Sequence, residues 1–159
     1  MDGVDEWLEV LPVNVQMEVE SARKRDAASV FIGMAPVSKG RPRFTRQGRC
    51  HTPKATQNAE NQVQRAGQLC HRGEPLTGAL AVLLLAVFPI PASWSKKKKQ
   101  EAEAGMVRPA VKPDFDNVVK LYCDALNGIV WEDDKQIVDG RCIKVYGQRP
   151  GVLVLSWGL

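Results

Sequence analysis

The ten residues from Ala79 to Phe88, ALAVLLLAVF, are apolar at every position. A strand with one wet face alternates apolar and polar side chains, whereas a strand covered on both faces does not. The run is too short to cross a bilayer, and Pro89 and Pro91 close it. It reads as the central strand of a sheet, covered on each side. The chain has 159 residues, enough for one domain with its own core and no need of staples.

The remaining elements follow from periodicity and punctuation. Ser29 to Met34 (SVFIGM) has the β-branched and aromatic character of a first strand. Thr52 followed by Pro53 is a helix start, and Ala55, Ala59, Val63, Ala66 and Cys70 recur at helical spacing to about His71, before Gly73 and Pro75. A second helix begins at Asp114 or Asp116, just after Pro113. It presents Val118, Val119, Tyr122, Cys123 and Leu126 on one face and stops at Asn127-Gly128. Ile137 to Tyr146 and Val152 to Trp157 read as two strands around the turn GQRPG, an antiparallel pair. The fold class is α/β: a small mixed β-sheet with helices packed on it, in the order β-α-β-α-β-β.

Residues 1–26 stand apart as an acidic N-terminal extension to a body of residues 27–159. Val4, Trp7, Leu8 and Leu11 make a short helical stripe that Pro12 interrupts, which reads as a loosely packed terminal arm, against the alternatives of a segment docked on the body, a partner contact or a mobile acidic arm that competes with DNA. The first residues lack the basic start and apolar stretch of a signal peptide, so a cytoplasmic protein with no membrane partner is expected. Cys50, Cys70, Cys123 and Cys142 are widely spaced and read as reduced thiols. Cys50-His51 and Cys70-His71 raise the thought of zinc, but their spacing matches no common finger or ribbon.

The net charge of +4 conceals an asymmetry. Residues 1–20 hold six acids and no lysine or arginine, which leaves 22 basic against 12 acidic side chains in the rest. Lys39, Arg41, Arg43, Arg46, Arg49 and Lys54 fall in one stretch without an acid, broken by Gly40, Pro42 and Gly48. A flexible loop dense in arginine suits phosphate, because guanidinium groups fork onto phosphate oxygens. Lys39, Arg41, Arg43, Arg46 and Arg49 are therefore expected to contact DNA. Lys96, Lys97, Lys98 and Lys99 are read as a loop beside the site and a second phosphate contact, against the plainer reading of a solvated face.

Five aspartates lie between Lys112 and Lys135: Asp114, Asp116, Asp124, Asp133 and Asp134. Clustered carboxylates repel one another unless a hard cation such as Mg²⁺ offsets the repulsion. On a helix, Asp116, Lys120 and Asp124 share a face at four-residue steps. A short connection after that helix returns Asp133 and Asp134 to the same place. Three or four converging carboxylates would hold Mg²⁺ over a phosphodiester, with Lys120 set to stabilise transition-state charge. The plainer readings are an N-cap for Asp116, a surface ion pair for Asp116 with Lys120, and a turn for Asp133-Asp134.

The blocks Lys112-Pro113-Asp114-Phe115-Asp116-Asn117, Lys120, Asp124-Ala125-Leu126-Asn127-Gly128 and Asp133-Asp134-Lys135-Gln136-Ile137 together resemble the signature of RusA-type Holliday-junction resolvases. Pro36 to Arg43 (PVSKGRPR) is similar to the start of many members, and the likeness extends from about residue 30 to the end. The resemblance implies a homodimeric endonuclease that resolves four-way DNA junctions by paired symmetric nicks. It implies Asp114, Asp116 and Asp134 as Mg²⁺ ligands, with Mn²⁺ as a substitute, Asp133 as a supporting or alternative ligand, and Lys120 as the catalytic lysine. It offers no role for the acidic first 26 residues or the lysine run.

Two other enzymes or sites fit less well. Asp114-Phe115-Asp116-Asn117-Val118 matches the nucleophile motif of haloacid-dehalogenase-like phosphatases. However, Arg108 to Pro113 is not the buried apolar strand that motif needs, and the chain after the helix is too short for that fold. A calcium loop counted from Asp114 would have Val119 where glycine belongs and Ala125 where glutamate belongs. A branched-DNA-binding protein that does not cut is the alternative from another class.

Overall fold

The structure, a computed structural model, describes residues 2–40, 43–44, 50–51 and 53–159. Arg41, Arg46, Arg49 and Thr52 lie outside the described residues, as do the side chains of Arg43, Cys50 and His51.

Strand β4 (Leu80–Pro89) is the axis of a four-stranded mixed sheet in the order β1-β6-β4-β5. Strand β5 (Ile137–Gly147) runs parallel to β4 along one edge, and β6 (Gly151–Gly158) runs antiparallel to it along the other. Strand β1 (Ala28–Ile32) pairs antiparallel with β6. The expected hairpin pairing of the last two strands does not form, because β4 lies between them. A strand buried on both faces must also pair the backbone groups along both edges, and insertion between β5 and β6 gives β4 a partner on each. The segment Gln148 to Pro150 crosses the end of β4 to join them. A separate two-stranded ribbon joins β2 (Arg43–Phe44) to β3 (Cys50–His51).

The alternation hidden in the apolar run appears in the packing. Leu80, Val82, Leu84, Ala86 and Phe88 face one core, and Leu83, Leu85 and Val87 face another. The first core is closed by α3 (Lys54–Cys70) and α5 (Phe115–Leu126), with Val63, Val118, Leu121, Tyr122 and Leu126 wholly buried. The two helices approach closely at Gly67, where an added Cβ would come within 2.8 Å of Leu126 Cδ2.

The second core is closed by α1 (Asp2–Glu9) and α2 (Val13–Arg23). The expectation of a loosely packed arm is overturned here. Trp7, Leu8, Leu11, Val15, Val19 and Ala22 are all buried against the sheet. Trp7 meets Phe31 edge to face at 4.9 Å and donates Nε1–H to the Arg149 carbonyl at 2.7 Å. Pro12 does not end the stripe. It stands at the bend between two short helices, and its buried neighbours continue into the second.

The lysine run is also corrected. Lys96–Glu103 is a helix, α4, rather than a loop. Ser95 accepts a hydrogen bond from the Lys98 backbone N–H at 3.3 Å, and the residues that follow are strong helix formers up to Gly105. Among the described residues no helix is long and apolar enough to cross a membrane.

Candidate active site

Helix α5 runs beside the edge strand β5, and the site lies along their seam. The approach to α5 is fixed by Lys144 of β5, which donates to the carbonyls of Val111 at 2.8 Å and Pro113 at 2.9 Å. Asp114 then occupies the N-cap position of α5, yet its side chain makes no capping hydrogen bond. Its carboxylate is exposed, at the helix end whose partial positive charge favours an anion. Asp116, Lys120 and Asp124 follow at one-turn steps.

The far end of the site is set by a return of the chain. Gly128, at φ 71°, ends α5 beyond Asn127, and its N–H donates to the Trp131 carbonyl at 2.7 Å. The Trp131 ring is wholly buried and donates to the Asn127 side chain at 2.8 Å. This anchors the turn that leads to a single 3₁₀ turn, Asp134–Gln136. Asp133 caps that turn: its carboxylate accepts from the Lys135 N–H at 2.9 Å, while the Gln136 side chain accepts from the Asp133 N–H at 2.9 Å. Asp134 is thereby directed back toward α5.

Asp116, Lys120, Asp124 and Asp134 share the walls of one open cleft of about 440 Å³ with Phe115, Val119, Cys123 and Ile137. Neither Asp114 nor Asp133 lines it. Partial burial, a hydrogen bond with Asp124 and the nearby charges of Asp124 and Asp133 raise the Asp134 carboxyl above its ordinary range, and Lys120 opposes the shift. Burial, reinforced by Asp134 and Asp124, pushes the Cys123 thiol up to about 12.

Asp124 faces a second partner. The Lys39 ammonium pairs with its carboxylate and also with Glu60 of α3 at 3.2 Å. Burial alone would lower the Lys39 pKa, but the two carboxylates outweigh it and raise it. The Lys39 backbone N–H donates to Asn117 O at 3.1 Å, and the Val37 N–H donates to the Tyr122 hydroxyl at 3.4 Å, so the loop that begins the basic stretch is docked on α5. Lys39, read from sequence as a DNA contact, thus points its charge into the protein. Glu60 carried no signal in the sequence, because its pairing with Lys39 and Asp124 depends on α3 packing against α5.

The lysine helix lies elsewhere. Trp94, which leads into α4, stacks edge to face on Tyr146 at 5.0 Å, and Glu103 accepts from Gln148 at 2.9 Å, both at the end of β5 opposite Asp134. Lys98 sits over the Trp94 ring at 4.0 Å, and Lys99 donates to the Ala92 carbonyl at 2.8 Å. Lys96 and Lys97 are exposed, with Lys97 4.0 Å from Glu101.

Among the described residues no three aspartate, glutamate, histidine or cysteine side chains are gathered closely enough to enclose a metal ion. The donors along the cleft are nonetheless of one kind. Apart from the Cys123 thiol, which burial keeps protonated, they are carboxylate oxygens, at least partly solvent-accessible, and two of them are adjacent enough to raise a carboxyl pKa. Oxygen-only donors with room for water suit a hard divalent cation.

Residues 33–155 match the family described as Endodeoxyribonuclease RusA. The chain is also similar to the uncharacterized protein YqaN of Bacillus subtilis (strain 168), at 40% identity over 126 residues, which cover 76% of this chain and 88% of that protein.

Proposed function

The chain belongs to the RusA endodeoxyribonuclease family, and we propose that it is a Mg²⁺-dependent resolvase that cuts four-way DNA junctions by paired symmetric nicks. The observation that carries this reading is the cleft in which Asp116, Lys120, Asp124 and Asp134 meet. Asp116 and Asp134 of the cleft would hold the divalent cation together with Asp114, which stands next to Phe115 just outside its walls, with Asp133 beside Asp134 in support, and the cation would supply charge neutralisation and an acidified water. Lys120 contacts the scissile phosphate and offsets the negative charge that grows on it. Water oxygen bonds to phosphorus, the bond from phosphorus to the 3′ oxygen breaks, and that oxygen gains a proton. The products carry 5′-phosphate and 3′-hydroxyl ends. One chain offers one such cleft, so two symmetric nicks call for a homodimer. Arg41, Arg43, Arg46 and Arg49 supply phosphate contacts, with Lys96–Lys99 as a second patch. A cytoplasmic location goes with this substrate.

The test is a synthetic four-way junction beside a linear duplex and a single strand of the same sequence, each incubated with Mg²⁺ and with a chelator. Paired nicks confined to the junction and dependent on Mg²⁺ are expected. Equal cutting of every substrate would make the protein a general nuclease. Tight junction binding without cutting would favour a non-catalytic junction binder.

A further inference from the structure

Beside the acidic cleft lies a second cavity that the proposed chemistry does not use. It measures about 190 Å³ and is lined by Val82, Leu84, Phe115, Val119, Cys123, Ile137, Gly140, Arg141 and Cys142. Phe115, Val119, Cys123 and Ile137 also wall the acidic cleft, so the two spaces adjoin along these four side chains. The floor is the sheet itself, through Val82 and Leu84. Gly140 keeps one side open, because an added Cβ there would meet only Ile137 Cγ2, at 3.7 Å.

Phe115 is the member that most needs an explanation. It stands between Asp114 and Asp116 and is 57% exposed, whereas Val118, Leu121 and Tyr122 of the same helix are buried. Among the described residues it makes no aromatic pair, while Trp7, Phe31, Trp94 and Tyr146 all do. An exposed phenyl ring gains by stacking on a flat apolar surface. Strand β5 is a sheet edge, so alternate backbone N–H and C=O groups beside the slot have no strand partner and can meet polar ring edges.

We propose that this slot receives one unstacked nucleobase next to the scissile phosphate, with Phe115 as its stacking platform. The proposal rests on the nuclease reading and deepens it, since it assigns a base-reading subsite to the same cleft. The occupant follows from the shared wall. A phosphodiester held between Asp116, Lys120 and Asp134 places its own nucleoside beside Phe115, and an opening four-way junction has bases at its crossover that have lost stacking partners. Unstacking costs least for a base that is already unpaired, so the slot would favour branched DNA over a linear duplex.

The test uses the full-length protein and junctions that carry either a normal nucleotide or an abasic one at the position flanking the cut. On the normal junction, Phe115→Ala is expected to slow single-turnover cutting by roughly 5- to 150-fold, the range set by base–aromatic stacking. Phe115→Trp should restore most of the rate. Gly140→Val, which narrows the slot without backbone strain, should slow the same substrate. On the abasic junction both variants should match the wild type within about two-fold, because no base remains to be held. The Mg²⁺ concentration for half-maximal cutting should not change. Equal damage on normal and abasic junctions overturns the proposal and makes Phe115 a positioner of the aspartates beside it. A shift of both variants toward monomer in sedimentation overturns it in favour of contact with a second copy. If the wild type cuts no DNA, the nuclease reading falls and takes the slot's assignment with it.

Discussion

The two faces of the sheet use the same central strand for different ends. On one face, α1 and α2 bury Trp7, Leu8, Leu11, Val15, Val19 and Ala22 against Leu83, Leu85 and Val87, and ion pairs such as Arg23–Asp5 and Arg141–Glu18 rim that apolar layer. On the other, α3 and α5 bury a larger set against the alternate residues of β4, and the outer surface of α5 carries Asp116, Lys120 and Asp124 into an open cleft. A rigid helix built on one buried stripe can hold charged groups on its opposite stripe in fixed relation. The sheet is thus packed on both sides and used from one. Stability and chemistry should therefore separate under mutation.

The largest effect is expected on the chemical face. Lys120→Ala or Asp134→Asn should lower junction cutting by about 10²- to 10³-fold, the usual cost of removing a charge that stabilises a transition state. Both residues are solvent-accessible, so the melting temperature should hardly move. Trp7→Ala on the other face should do the reverse. Loss of a fully buried indole costs about 3–5 kcal/mol, a fall of roughly 6–20 °C in melting temperature for a domain of this size. Cutting per folded molecule at low temperature should stay within two-fold. If Trp7→Ala instead abolishes cutting in protein that is still folded, the faces are coupled and the separation fails.

The two faces were also unequally legible in the sequence. Strand β4 was readable because ten consecutive apolar residues leave few other folds, and α5 because its aspartates, lysine and apolar stripe keep helical register between Pro113 and Gly128. The α1–α2 face was misread because Pro12 and six acids break its pattern, and because two short helices bury a stripe that neither displays alone. The pairing of β5 and β6 was misread for a related reason. A short connection signals a hairpin, while the demand of β4 for two neighbours is a property of the whole sheet. Within the site, Asp116, Lys120 and Asp124 were readable from spacing, whereas spacing returned Asp133 and Asp134 together and only the family resemblance separated them; of that pair Asp134 lines the cleft. The Lys39–Asp124–Glu60 contact was not, since its members lie on three segments that only tertiary packing unites.

Lys39 gives the next test, and it divides the chemical face internally. A lysine that contacts phosphate lowers affinity and flattens the salt dependence when removed. A lysine that holds Asp124 against Asp134 acts on the rate. Lys39→Ala is expected to slow cutting by about ten-fold, less than loss of a group at the phosphate itself. Junction affinity should stay within two-fold, with the salt slope unchanged. Arg41→Ala with Arg43→Ala should weaken binding and reduce that slope by about 2. A lower slope for Lys39→Ala would return it to the DNA interface.

The smallest effects concern thiols, two of which, Cys123 and Cys142, line the spaces on the chemical face. Burial first, then the carboxylates of Asp134 and Asp124, push Cys123 up to about 12, and burial pushes Cys142 up to about 11. Cys70 is exposed at the end of α3. Because the thiolate is the reacting form, a thiol raised by about two units alkylates roughly a hundred times more slowly at pH 8. Iodoacetamide should therefore label Cys70 well before Cys142, and Cys142 before Cys123, as read by peptide mass. The same shifts fix a direction for stability. Above about pH 9 the unfolded chain releases the protons of these two thiols, while the folded chain keeps them until its own higher pKa values are reached. The unfolded state then binds fewer protons, so stability falls as pH rises. Tyr122, which burial pushes up to about 12, adds to the fall above about pH 10. All three groups lie on the α3–α5 side, so Trp7→Ala should lower the whole stability curve while leaving its alkaline slope unchanged. A changed slope would show that the two faces share more than the strand between them.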